Sequence, residues 1–328
     1  TYFLLHWQGE KQTINMQSVA LKKKNKFTRW ISREYGYYLF LMPFILGFAI
    51  FVAYPLIMSL IYSFTDFNGT FYKQAGLFQY KKIFDYSEFG YGKDIAKSFG
   101  LTILYSVTSI PLNLVLSYSL ALFLKKEIKG VKTLRLLFYL PVLIPSIAFG
   151  QIWLDMLAYS STSAGGIINQ MLTNLNLGKL TFYSAENTQF ITFLVTSQWG
   201  IGGGMIIWLA ALKNISTEIY EAAEIDGANA FVKLFKLTIP MTTPIIFYNV
   251  ICAVIGCMQV FDSYAYVGRG INGAMDFISV RIYCTAFSGT RNEYGFACAM
   301  AWILFVFIAC LIAIMFKTSR WVFYGDEN

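Results

Sequence analysis

Histidine is nearly absent from this 328-residue chain: His6 is the only one. Histidine-based catalysis or metal ligation deep in the sequence is thereby excluded. Charge is scarce as well, at 13% of residues, about half of what a soluble domain carries. A water-soluble surface needs a charged, mixed exterior, so water is excluded as the solvent for most of this chain. The five cysteines (Cys252, Cys257, Cys284, Cys298 and Cys310) form no C-x-x-C pair and read as small membrane-buried residues. No G-x-x-x-x-G-K-[ST] phosphate loop occurs, which excludes ATP hydrolysis by that route.

What is present is apolar: 56% hydrophobic residues and a mean hydropathy of +0.53. Six stretches reach the roughly 20 residues a helix needs to cross a bilayer. They are Tyr37–Tyr62, Phe99–Leu124, Leu134–Leu157, Phe190–Leu212, Pro244–Val267 and Phe296–Phe316. None alternates with period 2 as a barrel strand would, so the fold class is an all-α membrane protein. Prolines within them (Pro43, Pro55, Pro111, Pro141, Pro145) are tolerated where neighbours satisfy the freed backbone groups.

The net charge of +8 is collected at the ends of these stretches, a topology signal rather than a nucleic-acid face. With the N-terminus inside, the inner segments together with the membrane-edge Arg135 hold 17 of the 26 Lys and Arg. The short loop Lys125-Lys126-Glu127-Ile128-Lys129-Gly130-Val131-Lys132 is the clearest marker. Both termini are then expected in the cytoplasm. The expected organisation is a cytoplasmic segment 1–36, a transmembrane domain 37–316 with a loop at 213–243, and a cytoplasmic tail 317–328. Thr1 is not an ordinary translation start, whereas Met16 reads as one, so residues 1–15 are expected to be an upstream extension.

The most informative string lies between the fourth and fifth stretches, from Asn214 to Ala228 and on to Pro244. It reads as a short helix-turn-helix outside the bilayer. Ser216 or Thr217 supplies an N-cap, and Glu218 and Glu221 complement the helix dipole in the early turns. Ala222 and Ala223 let another surface approach, Gly227 ends the first helix in a left-handed conformation, and Pro240 stops the second.

The string Tyr220-Glu221-Ala222-Ala223-Glu224-Ile225-Asp226-Gly227-Ala228, with Pro240 following, resembles the "EAA" signature of ATP-binding-cassette (ABC) importer permeases, in its carbohydrate branch. Ile50–Pro55, Ser63–Asn68, Gly76–Phe84, Leu134–Pro141, Phe261-Asp262 and Tyr294–Ala297 are similar to the larger permease subunit of the maltose-transporter type. Three features depart from that family: Ser216 in place of a proline, Val267-Gly268-Arg269-Gly270-Ile271-Asn272 in place of Thr-x-Gly-Gly-Pro, and the run Gly200-Ile201-Gly202-Gly203-Gly204. In that run, Gly200 and Gly204 permit either close helix contact or a local kink.

The resemblance implies six helices in a type I importer arrangement, with a cytoplasmic coupling helix that docks on an ATPase. Its coupling residues would be Glu218, Tyr220, Glu221, Ala222, Ala223, Asp226, Gly227 and Pro240. It also implies a homologous second permease subunit, two ATP-binding cassette subunits that hold ATP and Mg, and an extracytoplasmic solute-binding protein. The chain itself would hold no cofactor and no metal, and would sit in the bacterial inner membrane. Nucleic acid is not an expected partner.

The cargo implied is a sugar or oligosaccharide, passing between this chain and its partner. Aromatic faces suit sugar C–H surfaces, while amides and carboxylates suit hydroxyls. Candidates on successive spans are Gln151, Trp153 and Asp155; Gln198 and Trp199; and Gln259, Asp262, Tyr264 and Tyr266, with Asn113 and Asn249 behind them. For each alone, an interfacial aromatic belt or a tie between helices is an equal explanation. Arg269, Arg281 and Arg291 on the outer side raise the alternative of an acidic oligosaccharide such as a uronate chain, or of a polyol phosphate. An alternative of another class, an ion-coupled secondary transporter, would place its coupling site on Asp155 and Asp262, the two carboxylates within the spans.

Overall fold

The computed structural model describes residues 26–70, 76–126, 128–162, 165–288 and 292–322. These divide into two units, Thr1–Ser59 and Leu60–Asn328. The described part of the first is helical: α1 (Lys26–Phe48) leads through a π-helical turn, Ala49–Ala53, into α2 (Tyr54–Ser63), which continues into the second unit. Helix begins at Lys26, ahead of the first membrane-spanning stretch, which starts at Tyr37. The wide π turn sits just ahead of Pro55, where the missing proline N–H frees a carbonyl one turn back.

In the second unit, the elements among the described residues are helical. α3 (Phe78–Ile83) precedes α4 (Gly92–Lys125), whose 34 residues make it about 51 Å long, well beyond a bilayer core of about 30 Å. α5 (Val131–Tyr139) and α6 (Ser146–Met156) follow, then the short α7 (Ile167–Asn174). α8 (Glu186–Ser197) and α9 (Gly202–Lys213) form one span joined by a 3-10 turn, Gln198–Ile201. α10 (Thr217–Ile225) comes next. A stretch over 230–241 then contains α11 (Ala230–Val232), a π segment Lys233–Thr238 and α12 (Ile239–Met241). α13 (Thr243–Met258) and α14 (Ser263–Val267) make the next span, followed by α15 (Ile278–Phe287) and α16 (Tyr294–Lys317).

Among the described residues, five spans are helical, apolar and long enough to cross a membrane: Tyr37–Ser63, Gly92–Lys125, Glu186–Lys213, Thr243–Val267 and Tyr294–Lys317. The third expected span, Leu134–Leu157, is not one straight helix. Val131–Leu143 and Ser146–Met156 meet at a bend of 99°. Pro145 forces the preceding Ile144 out of the helical region, and Ile144 is extended at φ −79°, ψ 125°. Pro141 tightens the turn before it into 3-10 geometry. Pro43 and Pro111, each lacking such a partner proline four residues away, remain inside their helices.

Three buried clusters hold the second unit. Ile83, Ile95, Met258, Ile278, Phe296 and Met300 pack α3, α4, α13, α15 and α16 together. Tyr105, Phe193, Tyr266 and Phe277 form an aromatic centre, with ring separations from 5.3 to 5.8 Å in four of their pairs. Ala121, Leu124, Met205, Trp208 and Leu212 join the C-terminal halves of α4 and α9. Here the Trp208 indole N–H donates to the Ser117 hydroxyl at 3.0 Å. The glycine run passes through a 3-10 turn at Gln198–Ile201, and its close approach falls on neither of the two glycines expected to make it: Gly204 meets Ser117 only at an ordinary 3.4 Å. The tightest approach is at Gly202, where a Cβ would strike the Phe138 carbonyl, whereas a Cβ on Gly200 would meet open space.

Candidate functional site

The helix α10 forms for the reasons its sequence declares. Ser216 is its N-cap, the hydroxyl accepting from the Glu218 N–H at 3.2 Å. At its other end Gly227 takes φ +77°, the Gly227 N–H donates to the Glu224 carbonyl at 3.0 Å, and the Ala228 N–H to the Ala223 carbonyl at 2.9 Å. This is the Schellman pattern, which satisfies the last carbonyls of the helix. Asn229 then caps the next stretch by accepting from the Val232 N–H at 2.9 Å.

Pro240 does not stop the second stretch. Helix runs through it to Met241, because the π segment Lys233–Thr238 absorbs the lost donor, as the one before Pro55 does. The break falls at Thr242, between α12 and α13.

The expected coupling residues divide by direction. Glu218, Glu221, Ala222, Asp226 and Gly227 are exposed, and so is the apolar Ile225 (88% exposed) on the same helix, as are Phe231 (74%) and Phe235 (61%) on the stretch that follows. Ala223 and Pro240 are half-buried. Tyr220 points the other way: its hydroxyl meets the Thr238 hydroxyl at 3.0 Å and lies 3.4 Å from Lys125 Nζ, which also sits 4.4 Å from the ring centroid. Sequence reasoning placed Tyr220 with the docking residues and overlooked Lys125 and Thr238. An aromatic residue one position before the glutamate, out of phase with the exposed Ile225, was the available signal.

The nine expected path residues also separate. Gln151, Asp155, Trp199, Gln259 and Asp262 are exposed within this chain, and Trp153 and Tyr264 half-buried. The Gln151 amide donates to Asp155 at 3.0 Å, and the Trp153 and Trp199 rings meet edge to face at 5.6 Å, bringing the third and fourth spans to one surface. Tyr264 stacks on Phe261 at 5.4 Å and meets Tyr283 at 5.1 Å. Two candidates are buried within this chain. The Gln198 side chain is buried against α4, accepting from Asn113 at 3.3 Å and donating to Ser109 at 3.1 Å. Tyr266 is buried in the aromatic centre. Asn249 donates to the Ile245 carbonyl of its own helix at 2.8 Å.

Between the broken span and its neighbours lies a cavity of 190 Å³, lined in part by Pro141, Ile144, Phe149, Ser197, Asp262 and Tyr266. Beside it, α6 crosses α14 closely at Gly150, where any Cβ would collide with the Tyr266 ring. Gly150→Val should therefore lower the thermal midpoint of the detergent-solubilised protein, by overpacking worth about 1–3 kcal/mol. Gly256→Ala, with open space around it, serves as the neutral control.

At the N-terminal end of α4, the arginines considered as an attraction for acidic cargo are already engaged. Asp276, 3% exposed, accepts from Arg269 Nε at 3.0 Å and Nη2 at 2.6 Å, and it forms a further short ion pair with Arg281. Arg281 also donates to Ser98 at 2.7 Å and lies 3.6 Å from Asp94. The Asp276 hydrogen bonds raise the Arg269 guanidinium pKa above its ordinary value. Two arginines thus face two carboxylates, and Lys97 beside them donates to the Asn272 carbonyl of the same loop at 3.4 Å. Arg291 lies outside the described residues.

Asp276 and the buried hydroxyls of Ser98, Thr102 and Ser106 on α4 were not singled out in the sequence. Their spacing of four residues was the signal. Thr102 accepts from the Ile278 N–H at 3.0 Å and so seats the start of α15. Among the described residues, no group of three His, Cys, Asp or Glu side chains is placed to hold a metal ion.

No protein-family model matches the chain. Individual proteins do. A probable ABC transporter permease of Bacillus subtilis, YesP, is 34% identical over 298 residues, covering 89% of this chain and 93% of its own length. A probable permease of a transport system for starch degradation products, AmyD of Thermoanaerobacterium thermosulfurigenes, is 28% identical, covering 92% of this chain and 99% of its own. Among solved structures, a bacterial alginate ABC transporter in complex with an alginate pentasaccharide-bound periplasmic protein aligns with a TM-score of 0.76. That match has 21% identity and covers 90% of this chain and 98% of that one. With its apolar spans, its capped helix at Thr217–Ile225 and a relative of this identity along nearly its whole length, the chain belongs to the permease family of ABC transporters.

Proposed function

We propose that this chain is one transmembrane half of an ATP-driven, binding-protein-dependent importer whose cargo is a sugar or oligosaccharide. The observation that carries the reading is α10: a helix capped by Ser216, closed by Gly227 and presenting Glu221, Ala222 and Ile225 outward, in a chain of the permease family. Exposed apolar residues beside acids suit a groove on an ATPase subunit. A pair of those subunits would bind ATP and Mg and supply the energy, since this sequence has no phosphate loop. The end of the bundle that carries Lys125, Lys213 and α10 is then cytoplasmic, as are both termini.

The cargo reading draws on AmyD, a relative described as a probable permease of a transport system for starch degradation products, and on the fold shared with an alginate transporter. Within the chain, Gln151, Trp153, Asp155, Trp199, Gln259, Asp262 and Tyr264 offer amide, carboxylate and aromatic groups on a surface that a second permease subunit would close. Gln198 and Tyr266 support that surface from behind. Alternating access then moves the surface between the two sides of the membrane. An acidic oligosaccharide is the second reading, favoured by the alginate fold match but not by Arg269 and Arg281, which Asp276 engages.

Affinity isolation of this chain from detergent-solubilised native membranes tests the assembly. Recovery of a phosphate-loop ATPase and a second permease chain is the expected result; recovery of this chain alone overturns it. Glu221→Lys reverses the charge on the exposed edge and should reduce the recovered ATPase severalfold. Unchanged recovery would assign Glu221 to its own loop only.

A further inference from the structure

We infer that Tyr220, Thr238 and Lys125 form a hydroxyl strut that fixes the coupling helix to the ends of two membrane spans. In this arrangement Tyr220 is a positioning residue rather than an ATPase contact. The inference rests on the importer reading above for its consequence, but its geometry stands on the chain alone.

The proton directions follow from the donor inventory. The Thr238 hydroxyl, in a residue 4% exposed, donates to the Lys233 carbonyl at 3.0 Å. Its one proton is thereby used, so in the 3.0 Å contact with Tyr220 it accepts, and the tyrosine O–H donates. The tyrosine oxygen in turn accepts from Lys125 at 3.4 Å, while the ammonium lies 4.4 Å from the ring centroid. A continuous chain therefore runs from the Lys125 ammonium at the last residue of α4, through α10, to the first carbonyl of the π segment Lys233–Thr238.

Two further links close the frame. Lys233 reaches back from that same residue to pair with Glu224 on α10, holding the two limbs of the loop together. Four residues after Thr238, the Thr242 hydroxyl meets the Tyr118 hydroxyl of α4 at 3.1 Å, at the entrance to α13. The coupling helix is thus tied to the second span and to the lead-in of the fifth, through hydroxyls that water does not reach freely. A push on its exposed face is passed to both spans instead of bending the loop.

The π segment gives the strut its anchor. A π turn leaves its carbonyls less regularly paired than an α turn, and Lys233 carries both a backbone acceptor for Thr238 and a side-chain donor for Glu224. Removing the Tyr220 hydroxyl keeps the ring and its contact with Lys125 but cuts the path to Thr238. Removing the Thr238 hydroxyl cuts the same path from the other side.

The test uses the assembled complex in proteoliposomes, with sugar uptake and ATP hydrolysis measured together, and Tyr220→Phe, Thr238→Val, Thr238→Ser and the Tyr220→Phe/Thr238→Val double variant. Each of the two disrupting variants should reduce sugar moved per ATP by about two- to tenfold, the range of one lost buried hydrogen bond. The double variant should be no worse than either alone, and Thr238→Ser should retain the wild-type ratio. A purely structural role would lower the amount of complex and leave the ratio unchanged, which would overturn the strut. Amide hydrogen exchange on the purified chain in detergent decides the geometry separately. Residues 217–227 should exchange faster in Tyr220→Phe and Thr238→Val but not in Thr238→Ser, and equal exchange in all four proteins would overturn it. Absence of ATP-dependent uptake in the wild type would count against the importer reading, while the exchange result still decides the strut.

Discussion

Gly227→Val is expected to abolish most sugar transport per ATP while the protein still inserts and assembles. The residue holds φ +77°, and a Cβ there meets no neighbour within 4 Å, so crowding is not the obstacle. The obstacle is the backbone itself. A β-branched side chain in the left-handed region clashes with its own peptide groups, at a cost of about 1–2 kcal/mol or more. The cheapest relief is to unwind the turn, which frees the Glu224 and Ala223 carbonyls now accepting from Gly227 and Ala228. α10 would then lose its last turn, together with the placement of the exposed Ile225. Gly227→Asn is the matched control, because asparagine tolerates this conformation, and it should keep most of the transport. Full coupled transport by the valine variant would refute the role of the turn.

Asp276→Ala is expected to give the largest loss of stability among substitutions at the opposite end of the bundle. The carboxylate is nearly inaccessible and accepts from two arginines, of which Arg281 is 12% exposed. Truncating one partner of a buried pair leaves the other charge uncompensated, which costs about 3–5 kcal/mol. Asp94, at 3.6 Å and largely exposed, is too solvated to replace it. The seat of α15 on α4 should loosen with it, since Ser98 and Thr102 belong to the same network. Thermal unfolding of the solubilised protein measures this, with Glu293→Gln as a milder comparison because the Lys82–Glu293 pair is half-exposed. Equal midpoints for Asp276→Ala and wild type would show that the loop is held by other contacts.

Much of this architecture was legible because local chemistry decides it. Five apolar stretches became spans, Ser216 became a cap and Gly227 a left-handed turn, each for a reason contained within a few residues. The break in the third span was not legible in the same way. Pro43 and Pro111 stay within helices, so proline alone does not announce a break; the pair Pro141 and Pro145, which together push Ile144 into extended backbone, does. Pro240 was misread for a related reason, since a π segment lets helix continue past it.

The site shows the same division. Residues chosen for polarity within apolar runs divided into exposed groups such as Gln151 and Asp262 and buried ones such as Gln198, and composition does not distinguish the two. Arg269 and Arg281 read as free charges only because their partner, Asp276, lies seven and five residues away in a loop without periodicity. The Tyr220 strut joins residues 95 positions apart in one contact and 18 in another, separations that no local pattern reports.

The decisive measurement is uptake of a labelled malto-oligosaccharide, and in parallel an alginate oligosaccharide, into proteoliposomes containing the complex isolated through this chain. Uptake of one of them that requires both ATP and the solute-binding protein, and that fails with Gly227→Val, is the expected result. Uptake driven by a proton or sodium gradient without ATP would contradict the importer reading and make Asp155 and Asp262 the coupling groups.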